Sequence, residues 1–274
     1  MSDHGSDVVS MRYVYAVVSR RAGGVSVGVN LNPNRACNWR CVYCQVEGLS
    51  RGAGPDIDLD MLEAELDEML RAVVEGDFMA ASVPEGARVL RDVAFSGDGE
   101  STTSPQFGEA IEVVGRVIAR RSAGLRVVLI TNGSMVDRES VQRALAKLAS
   151  VNGEAWFKLD AATDEGIART NSVATTAERH LARLEACASI VPTWVQTCAL
   201  VRDGVFEPRE ADAYVAALSA LVRKGVPLRG VRLYSLARPS YQPEAPTLSP
   251  ASLEQMESLA ERLRAVGLAV QIAT

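Results

Sequence analysis

From residue 25 onward, hydrophobic residues switch repeatedly between the period of a strand and the period of a helix. Residues 25–32 (VSVGVNLN) alternate apolar and polar, as a half-buried strand does. Residues 58–75 then carry Leu59, Leu62, Leu66, Met69, Leu70 and Val73 at helical spacing, behind Asp58 and Asp60, either of which can cap the first turn. The same reading places strands at 93–96, 125–131, 155–160, 193–201, 230–236 and 268–272. Between them it places helices at 105–121, 137–150, 164–189, 208–223 and 250–265, with a Pro-rich connector at 239–250. Six or seven strand–helix units in a row require a parallel sheet with right-handed crossovers. Periodicity alone leaves open whether that sheet is flat or curls into a barrel. Segment 76–92 is the least regular and reads as an insertion or a lid.

A length of 274 residues fits one large α/β domain or two small ones, and 47% hydrophobic with 23% charged residues calls for a packed core. A net charge of −5 gives no general attraction to nucleic acid or anionic lipid. No apolar run reaches the roughly 20 residues that span a bilayer, and the polar start has no signal-peptide core; a cytoplasmic location is expected. Of five cysteines, three fall within positions 37–44, and Cys187 and Cys198 stand far away. An odd count with tight clustering points to a metal site rather than a disulfide framework.

The cluster reads Cys37-Asn-Trp-Arg-Cys41-Val-Tyr-Cys44, on the loop after the first predicted strand. Parallel α/β folds place ligands on loops leaving the C-terminal ends of their strands. Three thiolates on one loop can hold three irons of a [4Fe–4S] cluster and leave the fourth open. The plainer alternative is a structural zinc, which needs a fourth ligand; the only histidines, His4 and His180, are distant.

The spacing CxxxCxxC, with aromatic Tyr43 before the third cysteine, resembles the signature of the radical S-adenosylmethionine (SAM) superfamily. Within it, CVYCQV, FSGDGEST, ITNGSMVD, FKLDAATDE and YSLARPSYQPEAPTLSP are most similar to the subgroup around the tRNA-wybutosine synthesis (4-demethylwyosine synthase-like) enzymes. The resemblance implies a partial (β/α)6 barrel with parallel strands and outer helices. It divides the chain into an N-terminal extension (1–24), a core domain (25–236), and a connector, helix and terminal strand packed on the core (237–274). It also implies that Cys37, Cys41 and Cys44 hold a [4Fe–4S] cluster whose open iron chelates SAM, with a flavodoxin- or ferredoxin-type electron donor and no membrane partner.

Gly97-Asp98-Gly99-Glu100 resembles the family's GGEP run, which binds the SAM amino group; Ser101 stands where proline is common. Glycine lets backbone approach a ligand closely, and the Glu100 carboxylate can accept from an ammonium. Asn132 either lines the same pocket or simply ends its strand, and backbone near Tyr234 approaches adenine by resemblance. Lys158 and Asp160 share a strand face with Trp156, either as a buried ion pair or as groups facing SAM or substrate. Gln196 shares a face with Trp194 and Cys198, and Arg232 with Tyr234; these polar residues either face a barrel interior, or face outward into the helix layer or pair with each other. Cys187 reads as core and Cys198 as a small buried thiol. The resulting expectation is a hydrogen-abstracting enzyme for a small molecule or peptide. The alternatives are a tRNA-modifying enzyme, a glycyl-radical-enzyme activase and a zinc-binding scaffold.

Overall fold

A computed structural model describes residues 11–206 and 208–273. Nine strands form one sheet: β1 (Val14–Ser19), β2 (Gly24–Val29), β3 (Leu90–Phe95), β4 (Arg126–Thr131), β5 (Gly153–Lys158), β6 (Thr193–Arg202), β7 (Leu228–Ser235), β8 (Leu248–Pro250) and β9 (Val270–Ala273). The helices between them are α1 (Leu59–Val74), α2 (Phe107–Arg121), α3 (Glu139–Ser150), α4 (Asp164–Asn171), α5 (Ala177–Ile190), α6 (Pro208–Arg223) and α7 (Leu253–Ala265). Sheet order is β1-β2-β3-β4-β5-β6-β7-β9, with β8 antiparallel beside β6. The run from β2 to β9 is parallel throughout, and β1 pairs antiparallel with β2.

The sheet is curled, and one hydrogen bond demonstrates it. Arg232 Nη2 on β7 donates to the carbonyl of Arg21, in the turn before β2, at 2.6 Å. Between β2 and β7 lie four strands, so a flat sheet with ~4.8 Å spacing would hold these strands more than ~20 Å apart. The result is a half-barrel with helices outside, the partial barrel expected from the sequence. Period-two alternation divides its two faces. Val27, Val93, Phe95, Val127, Leu129, Phe157, Val195 and Leu233 face outward and pack, fully buried, against Leu62, Leu66, Ile111, Val114, Leu145, Leu184, Leu218 and Leu263. Ala94, Val128 and Trp156 point inward and form a separate cluster with Ile130 and Trp194.

Local chemistry sets the helix starts. Asp58, rather than Asp60, caps α1 by accepting from the Met61 amide at 3.0 Å. Ser252 and Gln255 form a reciprocal capping box on α7. Two strands escape sequence reading. β1 lies within the segment expected as an extension, and β8 is a three-residue edge strand whose Pro250 is tolerated there. Segment 76–92 is not a lid over the C-terminal rim. It links the end of α1 to the start of β3 at the opposite end of the sheet, as a short helical turn (Phe78–Ser82) tied down by Arg88 Nε donating to Val83 O at 2.9 Å. Among the described residues, no helix is long and apolar enough to cross a membrane.

Candidate functional site

The three clustered cysteines sit on the loop that leaves the C-terminal end of β2, each partly buried and free of disulfides. Ala36 and Cys37 pair in parallel with Ser50 and Arg51, and the Cys44 amide donates to Cys41 O at 2.9 Å, closing a tight turn. The Trp39 amide points at Cys37 Sγ (3.5 Å) and Asn171 Nδ2 at Cys41 Sγ (3.2 Å). Burial pushes the Cys37 thiol up to about 12 and Cys41 to about 11, so ionisation here requires a bound cation or cluster. The donor set is sulfur only, which suits iron–sulfur ligation. Among the described residues, no three His, Cys, Asp or Glu side chains are drawn together around one metal position.

Two distant segments clamp this loop. From the end of α4, Thr170 O accepts from the Val42 amide (2.9 Å) and Asn171 O from the Arg40 amide (3.3 Å). From the Pro-rich connector, the Ser240 hydroxyl reaches Val42 O (2.7 Å) and Cys44 O (2.9 Å). The Tyr241 amide donates to Cys44 O at 3.0 Å, and Gln45 Nε2 donates to Arg238 O at 2.8 Å. Trp39 is buried against the ring of His180, with centroids 5.2 Å apart.

The glycine-rich run ends β3 and packs directly on the cysteine loop. Gly97 holds φ of +137°, a value that disfavours side chains, and its amide neighbour Asp98 exchanges bonds with Asn30, N–H to Oδ1 at 3.2 Å and Nδ2 to Oδ2 at 2.8 Å. A Cβ on Gly99 would lie 2.2 Å from Ala36 O, so only glycine allows β3 to approach the residue before Cys37. Glu100 closes this run. It is 3% exposed, and its carboxylate accepts four bonds from protein: Thr102 N (3.2 Å), Thr102 Oγ1 (2.5 Å), Thr131 Oγ1 (2.7 Å) and Asn132 N (2.6 Å). Glu100 thus joins the ends of β3 and β4. Asn132 extends the chain of contacts: its Nδ2 donates to Asn38 Oδ1, inside the cysteine motif, at 2.9 Å.

Inside the rim, Lys158, Asp160, Tyr43, Tyr234 and Cys198 form one network. Asp160 accepts from the Tyr43 hydroxyl, from Asn171 Nδ2 at 3.0 Å and from the Cys198 amide at 2.9 Å. Lys158 Nζ lies 3.4 Å from Asp160 Oδ1, donates to the Tyr234 hydroxyl at 2.6 Å and sits 4.9 Å from the centres of both tyrosine rings. Burial, the largest single influence, opposes the ammonium charge, and Asp160 together with Tyr234, Cys198 and Cys41 around it holds Lys158 above its ordinary range. The ion pair considered from the sequence is present, and it lies against Tyr43 of the cysteine motif. Gln196 and Arg232 face the interior, not the helices: both line a cleft beside Tyr234. Asn38, Asn171, Asn30 and Glu244 were not anticipated. Asn30 follows β2 and Asn38 lies within the cysteine motif, whereas Asn171 ends α4 and carried no local signal.

The family model of the radical SAM superfamily matches residues 31–207. The UPF0026 protein MJ1312 of Methanocaldococcus jannaschii is 27% identical over 164 residues, covering 58% of this chain and 43% of that protein, so the match spans under half of the relative's length. Among solved structures, TYW1 with a lysine-pyruvate adduct bound superposes with a TM-score of 0.58 at 16% identity, over 89% of this chain and 74% of that one. The anSMEcpe protein with bound AdoMet superposes at 0.51 and 16% identity, over 79% and 53%. At these identities the structural likenesses establish the fold.

Proposed function

Since the chain belongs to the radical SAM superfamily of enzymes, we propose that it binds a [4Fe–4S] cluster at Cys37, Cys41 and Cys44, binds SAM on the adjoining rim, and abstracts hydrogen from a small-molecule or peptide substrate. A cluster held by Cys37, Cys41 and Cys44 would supply one-electron reduction of a C–S bond of SAM, with the electron coming from a flavodoxin- or ferredoxin-type donor. The observation that carries this reading is the direct packing of Gly99 on Ala36, which brings the glycine-rich strand end against the cysteine loop.

The chain's own residues orient and enclose. Cys37, Cys41 and Cys44, three thiols from one loop, would hold three irons of such a cluster and leave the fourth open to SAM. Gly97, Asp98 and Gly99 offer backbone beside that loop, and the Glu100 staple keeps the ends of β3 and β4 in register. Asn132, through Asn38, sets the loop's position against β4. Lys158 supplies a fixed positive charge and Asp160 a fixed negative one within the interior, both immobilised by Tyr43 and Tyr234. Preorganised charge of this kind orients a polar ligand without reorganisation cost.

The test is SAM turnover without oxygen. With dithionite as reductant, the reconstituted protein is expected to convert SAM slowly to 5′-deoxyadenosine and methionine, read by liquid chromatography with mass detection. Methylthioadenosine as the enzymatic product would indicate cleavage of a different C–S bond. A protein with a full cluster that leaves SAM intact under every reducing condition would contradict the proposal.

A further inference from the structure

Across the open side of the half-barrel, the turn between β1 and β2 faces β7 and β9 over a cleft of about 180 Å³. Arg20, Arg21, Gln196, Arg232, Tyr234 and Gln271 stand in its walls. Two of its features are unlike ordinary packing. Gln196 is 0% exposed, yet neither its Oε1 nor its Nε2 has a hydrogen-bond partner. Buried amide atoms are normally satisfied.

The second feature is positive charge without a counterion. Among the described residues, no carboxylate lies within ion-pair distance of Arg20, Arg21 or Arg232. Arg232 is held over the rings of Trp156 (3.9 Å) and Trp194 (5.5 Å), and Arg21 over Tyr234 (5.2 Å). The acids nearest Arg232 are Glu154 and Asp92, neither within ion-pair distance of it, and Asp92 Oδ2 is itself buried without a hydrogen-bond partner. Asp92 accepts from Ser26 at 2.5 Å, and Glu154 accepts from Trp156 Nε1 at 2.8 Å and pairs with Arg126 at 3.4 Å. Burial lowers Arg232 to about 10, which still leaves it charged at neutral pH.

We propose that this cleft is the subsite for the substrate's oxyanion, a carboxylate or phosphate held by Arg21 and Arg232 with Arg20 at the mouth. Gln196 pairs with a hydroxyl, amine or amide next to that oxyanion. A guanidinium presents a donor fork that matches either oxyanion. The two bare atoms of Gln196 ask for one donor and one acceptor, which a hydroxyl supplies by itself. Tyr234 connects the cleft to the rim: Arg21 lies over its ring and Lys158 bonds its hydroxyl, so a molecule anchored here reaches toward the cysteine loop. This assignment rests on the proposed radical SAM reaction taking place in the barrel interior.

The test is calorimetric titration of the anaerobically prepared, cluster-loaded protein with inorganic phosphate, glycolate and acetate at constant ionic strength, with and without SAM. Saturable binding of at least one probe is expected, and the favoured probe separates a phosphate from a carboxylate. R20Q and R21Q, at an exposed and a half-buried position of the β1–β2 turn, should each weaken it about tenfold, the loss of one charge-assisted contact. Q196L should weaken glycolate alone and leave acetate and phosphate unchanged. No saturable binding by any probe, or equal affinity in R21Q, would overturn the proposal. Displacement of the probes by SAM would also overturn it, because SAM's own carboxylate would then be the occupant. Cluster content and SAM cleavage, measured on the same preparation, report separately on the radical SAM reading.

Discussion

Arg40, inside the cysteine motif, is gripped by Glu244 of the Pro-rich connector through two hydrogen bonds of 2.7 and 2.8 Å, across 204 residues of sequence. Ser240 and Tyr241 hold the carbonyls of the same loop, so the connector acts as an external brace for the cysteines.

Glu244→Gln should therefore loosen the brace. The pair is a third and a fifth exposed, so its worth is discounted to about 1 kcal/mol or less. The expected result is a melting temperature lower by roughly 2–4 °C and a cluster that bleaches up to about fivefold faster in air, followed by visible absorption. Unchanged bleaching would show that the connector does not brace the loop.

Glu100→Gln tests the staple between β3 and β4. The substituted amide presents N–H₂ where a carboxylate oxygen accepted from a hydroxyl or from the Asn132 amide. One buried donor loses its acceptor, at a cost of about 1–3 kcal/mol. Denaturant unfolding should report that loss, and SAM affinity should fall with it because Asn132 and Asn38 shift together. Undiminished stability would remove Glu100 from this role.

Lys158→Met leaves Asp160 buried without its cation. Loss of one partner of a buried pair costs roughly 3–5 kcal/mol. The double variant Lys158→Met/Asp160→Asn should recover part of that stability. If SAM cleavage stays lost in the refolded double variant, the pair serves the reaction as well as the fold; full recovery would make it structural only.

His180 provides a pH signature. Burial lowers its pKa from the usual 6.5 to about 4. Its Nε2 lies 2.9 Å from the Lys158 carbonyl, which can only accept, so Nε2 carries the proton and Nδ1 has no partner. Below pH 6.5 the unfolded chain takes up a proton that the folded chain refuses. Stability therefore falls as pH drops, until the folded histidine itself protonates near 4. Between pH 7.5 and 5.5 the loss is about 1 kcal/mol. His180→Phe should flatten the stability profile by that amount over this window, and an unchanged slope would contradict the assignment.

Much of this architecture is written in short-range pattern. Period-two alternation identified Trp156, Lys158 and Asp160 as one strand face, and the structure turns all three inward. The cysteine motif and the glycine-rich run were legible because both depend on neighbouring residues. The bonds that Glu100 accepts from Thr131 and Asn132 were not legible because these donors arrive from the next strand in the sheet. The links Asn38–Asn132 and Arg40–Glu244 were invisible for the same reason: they exist only once the curl stacks distant loops on one rim. β1 was missed because its partner β2 already satisfied the pattern of a first strand.

The central claim is that Cys37, Cys41 and Cys44 hold an iron–sulfur cluster. The most direct measurement is iron and sulfide content after anaerobic reconstitution, in the native protein and in single Cys→Ala variants. About four irons and four sulfides per chain are expected, as a cuboidal cluster requires. The cluster should be lost in the Cys37, Cys41 and Cys44 variants and kept in those of Cys187 and Cys198. Stoichiometric zinc with no brown chromophore, or loss of iron in the Cys187 or Cys198 variant, would contradict the account.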